Sequence, residues 1–570
     1  MLHSSSISFF KVQAGPCERR KLAEETSYYC VCNSTYCDEL EKQPEALLKN
    51  DMYVDYVSAK DGGRLEMHTG QFEPRSSNFT VTNSNPTVVI LPNITTKYQE
   101  IHGFGGAMTD SAGISIASLG KDTQHQLIRQ YFGRNGIGYT FIRVPFGGTD
   151  FSVRNYSYDD TLNDLTLKHF SLQVEDTKYK IPYIQMAQKI SPLPVKLISG
   201  SWSPPQWMKE SRNGTEGYTR LKRNFFDLYS QYYIKSLDAY KRNGLQFWGL
   251  TAQNEPSVGL LVYYNFNSMG FTPEEMRDFI GSSFGPNLHS RGYGHLKLMI
   301  LDDNRVFLPG WANVVMNDTE VRRYVSGIAI HSYFDYLDPT GLKLRQTHND
   351  FPDKFMLYTE TSVVPIMDVT TTPDSNAVRL GNWQRAQNYT SNIIQDLNNF
   401  VIGWIDWNMV LNTEGGPNWV GNYVDAPIIA NASANEFYKQ PLFYSMAHFA
   451  KFVTPGSRRI GYRISNNTLV ECAIFLRPDN NIAIVLQNRQ NNDINVVVLV
   501  DDNQRIVIPT QANSMHSVIY KSSIKHNETS DNNIKLSDHK IMLFRGRRAF
   551  LVCLQNNRWL CDYRCEHKER

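Results

Sequence analysis

The chain has 570 residues, 41% of them hydrophobic and 12% aromatic, which is material for two or three packed domains. Charged residues make up 20% and the formal net charge is +2, so there is no electrostatic basis for binding nucleic acid or a charged membrane surface. No uninterrupted apolar run approaches the ~18 residues of a membrane span.

Residues 1–16 are poorly defined. "MLHSSSISFFKVQAG" has almost no apolar core, so a signal peptide is expected but reads as missing. Cys17, Cys30, Cys32 and Cys37 follow. Their run "CVCNSTYC" lacks a neighbouring His and a paired C-x-x-C, so two local disulfides fit it better than a zinc knuckle. The spacing leaves their connectivity open. Disulfides imply an oxidising compartment, and ten N-x-S/T sequons agree with a secreted or lumenal glycoprotein.

Residues 42–98 read as strands and turns. Eight β-rich runs then alternate with helical patterns: "EIHGFGGAMTD", "GYTFIRVPFG", "VKLISGSWS", "FWGLTAQNE", "LKLMILDDN", "GIAIHSYFD", "KFMLYTETS" and "VIGWIDWN". "FFDLYSQYYIKSLDAYKRNG" shows the helical spacing, with apolar residues three and four apart and a terminal Gly. Eight such units predict a (β/α)8 barrel over 99–408. An open doubly wound sheet is the alternative, but no Gly-rich phosphate loop is present. The glycines of "HGFGGAMTD" read as tight backbone packing at a strand end. From 457 to 523, short alternating strands separated by Pro-Asp-Asn, Asn-Asn-Asp and Asp-Asp-Asn turns predict a β-sandwich that 42–98 completes. The basic, turn-rich tail, 524–570, has no domain signature.

In a barrel, side chains at the C-terminal strand ends line the active site. Glu255 closes the fourth run, with Pro256 helping to end the strand. Glu360 closes the seventh. Two carboxylates meeting across one cleft are what glycoside hydrolysis needs. The plainer alternative is a pair of solvated strand-end acids. "LDDN" closes the fifth run and is read as another strand end without a ligand cluster.

The motifs "CVCNSTYC", "HGFGGAMTD", "LQFWGLTAQNEPSVG", "GIAIHSYFDY" and "GWIDWNMVLNTEGGPNWVGNYVDAPII", in that order, resemble the glucosylceramidase type of glycoside hydrolase family 30, in clan A, over roughly residues 17–523. The resemblance implies a TIM barrel with an immunoglobulin-like β-sandwich. It also implies a small three-stranded, disulfide-linked β subdomain from 17–41 and about 409–440, with 441–456 returning to the barrel. It implies a retaining β-glucosidase that cleaves glucosylceramide, with Glu255 as acid/base and Glu360 as nucleophile. Asn254 is then expected on the sugar 2-OH. Asp150, Trp202, Trp407 and Asn422 are expected around glucose, and Phe266 at the mouth. Arg143 is expected as the nearby cation or a structural ion pair, Tyr333 as a hydrogen-bond donor to Glu360, and His331 as an orienting group. A general acid needs a raised pKa, so the desolvation is expected on Glu255. Trp207 and Trp419 read as packing residues. No metal or cofactor is implied. The implied setting is the lysosome, with membrane-borne glucosylceramide, anionic lipid, a saposin-type activator and a lysosomal membrane receptor as partners.

Three positions depart from the family. Ser332 stands where the family has Trp, and Thr361-Ser362 where it has Ala-Cys. They leave open another β-glycoside, such as a steryl glucoside, a xyloside or a polysaccharide. A catalytically dead carbohydrate-binding barrel is opposed by the intact Glu255, Glu360, Asn254 and Arg143.

Overall fold

The computed structural model describes residues 13–40, 51–75, 85–210, 220–260, 266–363 and 377–522. The tail, most of the N-terminal segment 1–16, and the sequons at Asn78, Asn213 and Asn527 lie outside the described residues. Asn93, Asn155, Asn317 and Asn466 of the remaining sequons are exposed.

All eight predicted runs become strands: β1 (Gly103–Ala107), β2 (Phe141–Arg143), β3 (Lys196–Ser199), β4 (Phe247–Thr251), β5 (Lys297–Asn304), β6 (Val325–His331), β7 (Phe355–Glu360) and β8 (Val401–Asn408). They pair in sequence order, all parallel, and β8 closes on β1. Strands buried on both faces read as apolar runs rather than alternations, and β8 is buried along its whole length. Phe141, Ile198, Met299, Ala329, Leu357 and Ile405 from six strands pack together inside the barrel. The helix Phe226–Arg242 packs Tyr229, Tyr233, Leu237 and Tyr240 on the outside, and Gly244 behind it takes φ 77°, a conformation that favours glycine.

The glycines of β1 lie within the strand rather than at its end. A Cβ on Gly105 would come within 2.1 Å of the Phe141 carbonyl oxygen on β2. Close backbone approach at the seam of the barrel therefore requires this residue to be small.

The sandwich is one continuous ten-stranded sheet, contributed by 52–100 and 458–521. The long strand Thr87–Glu100 joins its halves, pairing with Ile494–Leu499 through one end and with Arg458–Ile464 through the rest. Val496 and Ile508 from one half share a core with Ile474, Ile484 and Val518 from the other, so the sheet curls back on itself. The strand Asn481–Asn488 is buried throughout. Ile482, Ile484 and Leu486 face the sandwich core, and Val485 joins the large core that holds Phe449 and Phe452.

The small subdomain has five strands, where three were expected. Val410–Asn412, Ile428–Asn431, Glu436–Lys439, Tyr29–Cys32 and Arg19–Arg20 form its sheet. The two outer additions are short and offer little alternation to read. The disulfides are Cys17–Cys30 and Cys32–Cys37, so "CVCNSTYC" is not a zinc knuckle.

Gly105→Ala should destabilise the protein by about 1–3 kcal/mol through overpacking. Gly310→Ala, where a Cβ meets nothing within 4 Å, should stay within about 0.5 kcal/mol of wild type. Denaturation midpoints of the two variants check both expectations.

Candidate active site

The site occupies the C-terminal end of the barrel, and its residues come from most of the strands. Arg143 ends β2. Asn254 and Glu255 follow β4, Asp302 lies in β5, His331 ends β6, Glu360 ends β7 and Trp407 lies near the end of β8. Local backbone distortions aim two of these groups. Glu255 has φ 39°, and its amide donates to the Asp302 carbonyl at 2.9 Å. Leu301 and Asp302 have φ 70° and 53°, and the register against β6 slips between Leu301 and Asp303. This bulge re-aims the Asp302 side chain at the cost of strained backbone.

Arg143 is wholly buried and sits at the centre. One guanidinium nitrogen donates to Glu360 Oε2. The other donates to Asn254 Oδ1 at 2.6 Å and to Asp302 Oδ2 at 2.8 Å. Its carbon lies 4.7 Å from the Trp202 ring centroid and 5.4 Å from that of Trp407. Those two indoles stack with centroids 5.1 Å apart. Burial opposes the arginine charge, but Asp302 and Glu360 outweigh it, so the guanidinium stays ionised.

Asp302 is the residue that sequence reading missed. Its Oδ2 also accepts from Thr251 Oγ1 at 2.6 Å, and its Oδ1 from Thr359 Oγ1 at 2.7 Å. Burial works against ionisation, but Arg143 and the His331 hydrogen bond overcome it and hold the carboxyl well below the usual range. The signal was the acidic pair in "LDDN", but nothing local distinguishes a buried strand-end acid from a solvated one.

His331 bridges the cleft. Nδ1 lies 3.0 Å from Glu255 Oε1, Nε2 lies 3.1 Å from Asp302 Oδ1, and Glu360 Oε2 is 4.0 Å from Nε2. Burial disfavours the imidazolium, but the Glu360 charge and the hydrogen bonds to Asp302 and Glu255 raise its pKa to about 10. An oxygen of Glu255 and an oxygen of Glu360 lie within 4.8 Å of each other. Tyr333 donates to Glu360 Oε1 at 2.7 Å. Burial and the Glu360 charge keep this phenol protonated.

Desolvation falls differently from expectation. The Glu360 side chain is 6% exposed, whereas the Glu255 side chain retains 14%. Burial pushes the Glu360 carboxyl upward, opposed by the charges of His331 and Arg143.

Asp150 is buried in the loop after β2, and Asn422 and Asn418 donate to its Oδ2 at 3.0 and 3.3 Å. Burial raises its carboxyl to about 7, held back by the Asn422 hydrogen bond. Trp202 and Trp407 lie together beneath Arg143, each 3% exposed. Phe266 is a buried wall residue in the cluster with Trp202, Val258 and Trp407, not an exposed lip. Trp207 and Trp419 are tied to backbone carbonyls of Asp159 and Thr149.

Comparison with known proteins agrees with this architecture. The glycosyl hydrolase family 30 TIM-barrel domain matches residues 101–453, and the family 30 beta sandwich domain matches 456–518. Lysosomal acid glucosylceramidase of Mus musculus is 40% identical over 526 residues, covering 90% of this chain and 99% of the mouse protein. Putative glucosylceramidase 4 of Caenorhabditis elegans is 39% identical, covering 89% of this chain and 95% of its own. The crystal structure of SrfJ from Salmonella typhimurium superposes with a TM-score of 0.73 at 27% identity, covering 82% of this chain and 99% of that one.

Arg143→Met should leave the Asp302 and Glu360 charges buried without the cation they share. The expected loss is about 3–5 kcal/mol of unfolding free energy, read as a lowered denaturation midpoint.

Proposed function

The chain belongs to glycosyl hydrolase family 30, and on that premise we propose that it is a retaining β-glucosidase acting on glucosylceramide. The observation that carries the mechanism is the separation of the two carboxylates. Retaining enzymes hold them about 5 Å apart, and inverting ones leave about 6.5–9.5 Å for a water. An oxygen of Glu255 and an oxygen of Glu360 within 4.8 Å of each other leave little room for such a water and support the first class.

In the first step a Glu360 oxygen forms a bond to the anomeric carbon. The bond from that carbon to the leaving oxygen breaks, and Glu255 gives its proton to that oxygen. In the second step water attacks the same carbon and passes a proton to Glu255, which releases glucose and frees Glu360. Arg143 and Tyr333 keep Glu360 anionic and fix its orientation. The Asn254 amide oxygen accepts from Arg143, which leaves its NH2 to donate to the sugar 2-OH. Asp150, steadied by Asn422, accepts from other sugar hydroxyls, and the two indoles line the ring.

Two observations support the lipid part of the substrate. The mouse and worm relatives are named for glucosylceramide. Phe307, Tyr336, Leu337 and Leu342, in segments following β5 and β6, are 37–58% exposed, and exposed apolar side chains beside a cleft suit an apolar partner. Among the described residues no helix is long and apolar enough to cross a membrane. The mouse relative's name supports a lysosomal setting, and the disulfides and sequons fit that lumen. The steps of this reading lead to glucose and ceramide and to sphingolipid breakdown.

Incubation with a β-glucose-configured mechanism-based inactivator, followed by peptide mapping, should place the label on Glu360. No label on folded protein would reject glucose or catalysis. Glu360→Gln should abolish turnover of every β-glucoside. Glu255→Gln should retain a burst with a leaving group that needs no proton, and equal losses in both variants would sink the role assignment. The pH profile should be bell-shaped, with protonation of Glu360, whose carboxyl burial pushes upward, setting the acid limb.

A further inference from the structure

Resting on that catalytic reading, we propose that Asp302 is a positioning residue: it holds His331 doubly protonated, and the imidazolium then fixes which oxygen of Glu255 carries the transferable proton.

The argument is a count of protons around a wholly buried ring. Each His331 nitrogen lies against a carboxylate oxygen, at 3.0 Å from Glu255 and 3.1 Å from Asp302. A neutral imidazole has one N–H and one lone pair. It can donate to only one of the two, and the other contact then needs a proton from the carboxyl. Asp302 has none to give. Its Oδ2 accepts from Arg143 and Thr251, and its Oδ1 accepts from Thr359. Nε2 therefore carries a hydrogen and donates to Asp302.

The question reduces to Nδ1. The charged groups facing the ring come from four strands: Asp302 and Asp303 of β5, Glu255 beyond β4, Glu360 of β7, and Arg143 of β2. Tyr333, edge-on with ring centroids 6.2 Å apart, is a neutral phenol. Arg143 is already committed to Glu360 and Asp302. A second cation on the ring balances the pair of anions Asp302 and Glu360, and burial strengthens that attraction. Nδ1 is then also N–H and donates to Glu255 Oε1.

One consequence follows for the chemistry. Oε1 is an acceptor, so the proton that Glu255 transfers resides on Oε2. It moves to the glycosidic oxygen as the bond from carbon to that oxygen breaks, and water returns one to Oε2 in the second step. His331 keeps both protons throughout.

The test uses the full chain labelled with 15N-histidine. The His331 signals are those lost in His331→Asn or, if that variant does not fold, in His331→Gln. In the wild type they should remain those of an imidazolium through pH 8. In Asp302→Asn they should titrate with a midpoint lower by at least about one pH unit. A merely structural aspartate would leave that midpoint where it is. A wild-type signal titrating near pH 6.5, or an unmoved midpoint in folded Asp302→Asn, overturns the proposal. If the wild type turns over no β-glucoside, the functional reading fails, while the spectrum still decides the protonation of His331.

Discussion

The structure depends at its centre on one buried guanidinium. Arg143 reaches acceptors that follow or lie in three other strands: Asn254 beyond β4, Asp302 in β5 and Glu360 in β7. A planar fork of fixed N–H donors can satisfy them together only if those strand ends converge on it. Convergence is what barrel closure supplies, since parallel strands in register direct their C-terminal ends into one bowl. A buried ion cluster is a poor source of stability, because desolvation offsets most of the attraction. Its value here is geometric. With both carboxylates of the cluster and the Asn254 amide bound to one rigid group, small displacements of any strand are resisted by the others.

Much of the fold was legible because it rests on local patterns. Strands covered on both faces give apolar runs that end in polar or small residues, and all eight runs became barrel strands. The helix repeats, the terminal Gly244 and the turn-separated strands after 457 follow from propensity and period in the same way. Glu255 and Glu360 were legible because each ends such a run.

What was not legible depends on long-range register. The bulge at Leu301–Asp302 exists only relative to β6, so "LDDN" read alone gives two acids of equal standing. Only the folded register distinguishes them: Asp302 meets Arg143 and His331, while Asp303 accepts from the Ser257 amide at 3.0 Å. The distribution of burial between the two glutamates is also non-local. Sequence logic assigns desolvation to the acid, yet β7 carries Glu360 deeper, where Arg143, His331 and Tyr333 are needed to keep it an anion. The cysteine pairing is set by the sheet, since Arg19 pairs with Cys30 and brings Cys17 within reach.

The three departures from the family can now be weighed by what they touch. The Thr361 hydroxyl donates to the Glu360 carbonyl at 2.8 Å, and its own carbonyl accepts the Trp407 amide at 2.7 Å. The Ser362 hydroxyl donates to the Asp425 carbonyl at 3.3 Å. Ser332 is half-buried between His331 and Tyr333. The hydrogen bonds of Thr361 and Ser362 engage backbone, and neither reaches the Glu255 or Glu360 carboxylate. They sit where β6 and β7 pass into their loops, which is where barrels vary specificity while strand ends keep the chemistry. A hydroxyl at 332, where the family is expected to carry an indole, presents a smaller and more polar surface beside Tyr333, the hydrogen-bond donor to Glu360. The physical expectation is a site whose glycone chemistry matches the family and whose aglycone wall is smaller and more polar on the β6 side, with apolar contact displaced outward to Tyr336 and Leu337.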